Sequence, residues 1–303
     1  MRAAGFAALV ALIAAGALRA QSAAPRSTGT DAVAVVLRVV DSIAVPRDTI
    51  DRESPEPIGL GALLRPGDRV VPPSGGHLLV LHAGGDLERI EESRRIEDPG
   101  VEATGLFRVI RAQLRRPAAP AGVREPPGPG AFELPVRPTG DRRVRSLTPT
   151  LIWRASEGAE GYRIHLWHPE GRIMTVEISA DTSWTLPADQ ALTPGMAFEW
   201  AVEPFPGGRV STRATFKVAS REVLDEVASE LGRMREAGLD PGGDGLLAAA
   251  IVFRALGLPY DAADALAELS TRAEPWSPEL TAFRQRLADE LEPRTEAENE
   301  TGP

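Results

Sequence analysis

Thr148-Pro149-Thr150-Leu151-Ile152-Trp153, Gly161-Tyr162-Arg163-Ile164-His165-Leu166-Trp167 and Leu192-Thr193-Pro194-Gly195-Met196-Ala197-Phe198-Glu199-Trp200-Ala201-Val202 decide the fold of the middle of this chain. Successive side chains of a strand point to opposite faces. Leu151 and Trp153 therefore share a face, as do Tyr162, Ile164 and Leu166, and again Phe198, Trp200 and Val202. Apolar sets recurring at every second residue on several short strands are the inward faces of two packed sheets. Residues 147–219 are read as one β-sandwich. Such sandwiches present surfaces and hold other modules apart, and they seldom carry out chemistry.

The early-strand tryptophan, the Tyr-x-Ile strand and the Leu-x-Pro-Gly-x-x-aromatic corner resemble a fibronectin type III domain. Phe198 stands where that family usually has its corner tyrosine, so the hydroxyl-to-backbone bond of the corner is expected to be missing. Trp167 falls on the face opposite Tyr162, Ile164 and Leu166, beside Arg163 and His165. An outward tryptophan can stack on a sugar or anchor a partner, which makes Trp167, His165 and Arg163 the candidate partner-binding residues. The plainer reading is that Trp167 covers a sheet edge or packs on a neighbouring domain.

Working outward, Pro117, Pro120, Pro126, Pro127, Pro129, Pro135 and Pro138 mark residues 117–146 as a linker, because proline-rich chain is extended and builds no core. Before it, Val33, Val35, Val36, Val39 and Val40 form a β-type run. Short apolar strands then alternate with glycine turns at Gly67-Asp68, Gly75-Gly76 and Gly84-Gly85-Asp86. That rhythm suggests a small barrel or roll over residues 31–116, with a polar insert from Asp41 to Pro57. The order of strand, Gly-Asp turn, Gly-Gly turn and apolar strand resembles the FecR-type domain of bacterial envelope proteins. The resemblance implies a non-enzymatic periplasmic domain tied to signalling or surface assembly. Leu106, Phe107, Val109, Ile110 and Leu114 lie close to helical spacing between four arginines, predicting a short helix docked on the β domain.

After the sandwich, residues 220–292 show the helical period four times, so about four helices are expected. Ser220 can cap the first, which ends near Gly238; Asp244 starts a second, Asp261 caps a third, and Ser277-Pro278 starts a fourth. Leu246, Phe253, Gly257, Ala263 and Pro275 resemble one tetratricopeptide-type unit. An array needs about three such units to bury its faces, so a compact bundle is expected instead. The tail, 293–303, is polar and expected to be disordered. The fold class expected for the chain is multidomain: a small N-terminal β barrel or roll, a central immunoglobulin-like β-sandwich and a C-terminal α-helical bundle.

Residues 1–20 read as a secretory signal peptide, with Arg2, an apolar run from Ala3 to Leu18, and a small residue at Ala20. That places the protein in the periplasm or outside the cell. The routes to a membrane are an uncleaved N-terminus or the helix at 104–116. The net charge of −9 argues against nucleic acid. No cysteine exists, so disulfides and a lipid-modified N-terminal cysteine are excluded.

Little in the sequence suggests an enzyme. His77 and His82 lie an odd five residues apart, as His165 and His168 lie three apart, so neither pair can chelate from one strand. Asp240-Pro241-Gly242-Gly243-Asp244-Gly245 lacks the alternating ligands and terminal glutamate of a calcium loop and reads as a turn. No nucleophile elbow and no phosphate loop occur. No cofactor and no metal are expected. The reading is a non-catalytic exported adaptor or scaffold contacting envelope proteins. The alternative is a glycan or small-ligand module using the sandwich face at Trp167.

Overall fold

The computed structural model describes residues 31–40, 45–48, 56–72, 75–98, 100–116, 135–140, 142–168, 171–179, 181–272 and 276–291. The signal region, most of the proline-rich linker and the 293–303 tail lie outside the described residues. The chain divides into two compact units. Unit one takes residues 1–119, 229–256 and 262–287; unit two takes 120–228, 257–261 and 288–303. The modules expected in sequence order are thus regrouped, and most of the C-terminal helical residues belong with the N-terminal strands.

Among the described residues of unit one, eight short strands form two antiparallel sheets. They are β1 (Ala34–Val40), β2 (Val45–Asp48), β3 (Glu56–Ile58), β4 (Leu63–Leu64), β5 (Arg69–Val70), β6 (His77–His82), β7 (Leu87–Ile90) and β8 (Arg94–Arg95). One sheet runs β4-β1-β6-β7 and the other β3-β2-β5-β8. The expected barrel or roll is therefore two separate four-stranded sheets. The polar insert supplies β2 and β3 of the second sheet. Val36, Val39, Leu64, Leu78, Val80 and Ile90 of the first sheet share one core with Ile58 and Val70 of the second. The turns are set by glycine: Gly67, Gly75 and Gly85 have φ of 90°, 82° and 93°, a region that L side chains avoid. At the first of these turns the buried Asp68 carboxylate accepts from the Arg65 amide at 2.8 Å, a short polar side chain closing its own turn.

The other face of β1 is covered as well. Val35 and Leu37 are buried but lie outside that core, as expected of a strand that is apolar on both faces from Ala34 to Leu37, before Arg38. Helix α1 (Gly105–Arg115) buries Phe107, Ile110 and Leu114 and packs against β1. It docks on the β domain, as its spacing predicts. The later helices are α2 (Arg221–Glu236), α3 (Leu246–Ala255), α4 (Pro259–Ser270) and α5 (Pro278–Leu291). Every residue of α3 from Leu246 to Phe253 is buried. A helix that is apolar all round is a core element, and α1 packs directly on it. At the start of α5 the Ser277 hydroxyl accepts from the Leu280 amide at 3.1 Å, with Pro278 in the first helical position. The third helix starts at Pro259, two residues before the expected cap. Proline fits a first turn whose amide has no intrahelical partner.

Unit two is a sandwich. Its strands are β9 (Pro135–Arg137), β10 (Arg143–Val144), β11 (Thr150–Trp153), β12 (Gly161–His168), β13 (Gly171–Ser179), β14 (Ser183–Thr185), β15 (Ala197–Phe205) and β16 (Ala214–Val218). They form a three-stranded sheet, β14-β11-β9, and a five-stranded sheet, β10-β16-β15-β12-β13. The chain crosses between the sheets from β11 to β12 and again from β14 to β15, as in immunoglobulin-like sandwiches. The strand parity holds: Leu151, Trp153, Tyr162, Ile164, Leu166, Phe198, Trp200 and Val202 all enter one core. Burying such side chains contributes about 1.5–3 kcal/mol each.

The sandwich begins at Pro135, inside the stretch expected to be linker. Pro135 lies on an edge strand, where a sheet tolerates a missing amide donor. Two buried aromatics fix this segment. The Trp200 indole donates to the Pro138 carbonyl at 2.8 Å. The Tyr260 hydroxyl accepts from the Thr139 amide at 2.9 Å and donates to the Thr139 carbonyl at 3.3 Å. At the corner Phe198 offers no hydroxyl, and its ring instead stacks on Phe216 at 5.7 Å between centroids.

Candidate interaction surface

The inward parity of β12 leaves Arg163, His165 and Trp167 on the outer face of the five-stranded sheet. The register places Arg163 opposite both Glu177 of β13 and Glu203 of β15, His165 opposite Thr175 and Ala201, and Trp167 opposite Glu199. The three residues singled out from the sequence are thus brought onto one face. Cross-strand neighbours on one face lie within side-chain reach, and here they engage one another.

Arg163 donates to Glu177 from Nε at 3.0 Å and from a terminal nitrogen at 2.6 Å, and to Glu203 at 3.2 Å. These bonds raise its already high affinity for the proton. His165 Nε2 meets the same Glu203 oxygen at 3.1 Å. The hydrogen bond from His165, and then that from Arg163, hold the Glu203 carboxyl below its ordinary value of 4.5, against the opposing pull of burial. An ionised carboxylate only accepts, so Nε2 carries the hydrogen. In the neutral ring Nδ1 then accepts from the Thr175 hydroxyl, 3.4 Å away. Both ring nitrogens are occupied, and only 13% of the His165 side chain is exposed.

Trp167 is half-buried rather than bare. The His165 ring stacks near it, 5.5 Å between centroids with 24° between planes. The Arg213 guanidinium lies 4.5 Å from the indole centroid and is itself held by Glu199 at 2.9 Å. A guanidinium over an indole is an attractive cation–π contact. The result is a connected array, Glu177–Arg163–Glu203–His165, continued by Trp167–Arg213–Glu199. Such a face can present arginine and tryptophan in set rotamers to a partner, at small entropic cost. Arg213 precedes β16 and is remote in sequence from Trp167. No local pattern marks it, and it follows only from pairing β16 beside β15 and β15 beside β12.

Elsewhere the histidines take structural contacts. His82 Nε2 lies 2.8 Å from Glu88, His77 Nδ1 lies 3.3 Å from Arg89, and His168 meets Phe198 edge-on at 5.4 Å. In the Asp240 loop the side chain accepts from the Gly242 amide at 3.1 Å, and Arg272 donates to the Gly243 carbonyl at 2.9 Å. That loop is a turn leading into α3. Among the described residues no three histidine or carboxylate side chains gather to hold a metal ion. No helix among them is long and apolar enough to cross a membrane.

No family model matches the chain, and no curated protein matches it. Among solved structures it is similar to FN3tt, at 17% identity and a TM-score of 0.21 over 28% of this chain and 92% of that one. It is also similar to the fibronectin type-III domain of human fibronectin type III domain containing protein 3. That match has 14% identity and a TM-score of 0.22, over 33% of this chain and 95% of that one. A third is the FN1–FN3 segment of chicken CNTN1, at 13% identity and a TM-score of 0.24 over 64% and 60% of the two chains.

Proposed function

We propose that this protein is an exported, non-catalytic adaptor or scaffold that works by protein–protein contact, with the outer face of the β13-β12-β15-β16 sheet as its contact surface. The observation that carries the reading is the ordered Arg163–His165–Trp167–Arg213 array. Arginine and tryptophan are the residues enriched at the energetic centres of protein interfaces, and here they are held in place before any partner arrives. The N-terminal strands and glycine turns are read as FecR-like and the α3–α4 hairpin as tetratricopeptide-like, which fits an envelope protein of the periplasm or the cell exterior. Envelope proteins are the proposed partners.

Crosslinking with mass spectrometry on tagged protein in fractionated envelopes tests this, comparing wild type with Trp167→Ala and Arg163→Ala. Crosslinks from β12 and β15 converging on one envelope protein, and lost in both variants, are the expected result. Absence of any crosslinked protein overturns the adaptor reading. The glycan alternative is disfavoured by the guanidinium and imidazole already packed against the indole. A glycan array bound by wild type and not by Trp167→Ala would establish that alternative instead.

A further inference from the structure

Unit one contains a cavity of about 390 Å³ bounded by the start of β1, the β4–β5 turn, the C-terminal end of α1 and the first turns of α5. Its wall includes the apolar Leu63 and Leu114, and its charged residues are Arg65, Arg115, Arg116 and Glu279. Three guanidinium groups at one cavity stand out in a chain of net charge −9. They are unequally committed. Arg115 is paired with Asp31 at 2.8 Å, whereas the side chains of Arg65 and Arg116 have no hydrogen bond or ion pair among the described residues.

The surroundings add positive charge. Helix α1 carries arginines at 108, 111 and 115 and no acidic residue. The Arg286 guanidinium donates to the carbonyls of Gln113 and Arg116 at the end of α1. Burial, and then repulsion from Arg116 and Arg254, weaken its hold on the proton. Like charges gathered at a concave site are stabilised by an anion that enters it. Arginine forks match the two oxygens of a carboxylate. The volume lies at the low end of the range for small-molecule pockets, so the ligand is about the size of a capped amino acid.

We propose that this cavity binds a small carboxylate with an apolar body, the carboxylate between Arg65 and Arg116 and the body against Leu63 and Leu114. Glu279 opposes the anion and limits its affinity. The site does not depend on the sandwich face, so either can fail without the other.

The test is calorimetric titration of the full chain at low salt with N-acetylleucine, its neutral amide, acetate and inorganic phosphate. N-acetylleucine should bind at least about tenfold more tightly than the other three. The Arg65→Gln/Arg116→Gln double variant should lose about tenfold, the factor expected from two solvent-exposed charge pairs. Glu279→Gln should bind more tightly than wild type. Arg65 and Arg116 are exposed and Glu279 is half-buried, and unchanged thermal unfolding of the variants confirms that they fold. Acid and amide binding within twofold of each other, phosphate or acetate matching N-acetylleucine, or no heat from any probe overturns the proposal. So does a double variant that binds as wild type does.

Discussion

Removing one oxygen from Tyr260 tests a tie between two residues of unit two that stand 121 positions apart. In Tyr260→Phe the ring keeps its place in the core of unit two, so almost no apolar area is lost. What is lost is the hydroxyl that accepts from the Thr139 amide at 2.9 Å and donates to its carbonyl at 3.3 Å. Thr139 is only 7% exposed, so its amide is left buried without an acceptor. Stranding one such group costs about 1–3 kcal/mol, and with an urea m-value of about 1–3 kcal/mol/M the midpoint should fall by about 1 M. Four of the five tryptophans, Trp153, Trp167, Trp184 and Trp200, belong to unit two, so intrinsic fluorescence follows its unfolding. Tyr162→Phe is the matched control. Its hydroxyl accepts from the Ser156 amide at 2.9 Å in a partly wet site, where the loss should be about 0.5–1.5 kcal/mol. Hydrogen exchange adds a direct reading, since the Thr139 amide should lose protection in Tyr260→Phe alone. Equal midpoint shifts in the two variants, with Thr139 protection unchanged, would refute the argument.

Three further outcomes follow from the geometry. Gly61 has φ of 79°, and a Cβ there would lie 2.8 Å from the Leu280 Cβ; Gly61→Ala should cost at least about 1–2 kcal/mol from backbone strain alone, seen as a lower urea midpoint. Phe107→Ala empties a fully buried position under α1 and should cost about 3–5 kcal/mol, read by circular dichroism during denaturation. Glu203 has a folded-state pKa below its ordinary value of 4.5, so its contribution is present above that value and is lost as pH falls through the lower, folded-state value. Stability of Glu203→Gln should therefore depend less on pH in that acidic window than wild type. Superimposable pH profiles would show that the His165 and Arg163 bonds to Glu203 add nothing.

Strands β11, β12 and β15 are legible in the sequence because they alternate cleanly, and alternation is the direct imprint of a half-buried strand. The short strands are not. β9 and β10 sit among prolines and arginines, and their place comes from pairing with β11 and β16, which no local pattern encodes. β2 and β3 are hidden in the same way by a polar stretch. From its sequence, helix α3 reads as a striped helix of a two-helix repeat. Ala248, Ala249 and Val252 fill the positions between the stripe residues, and that all-round apolar character is the mark of a core helix. The candidate face divides similarly. Parity placed Arg163, His165 and Trp167 together, but the groups that hold them, Glu203, Thr175 and Arg213, arrive from other strands through register alone.

The path of the chain through unit one bears on how the protein is made. Strands β1 to β8 leave the ribosome well before α3, the helix buried within the same unit, has been synthesised. The whole sandwich is translated in between. Contacts this far apart in sequence form slowly and late, and apolar surface waiting for them is prone to aggregate. A nascent chain stopped after residue 116 would hold α1 without α3, the helix that packs on it. Ribosome-bound chains ending there should recruit holding chaperones, and release from them should coincide with emergence of α3.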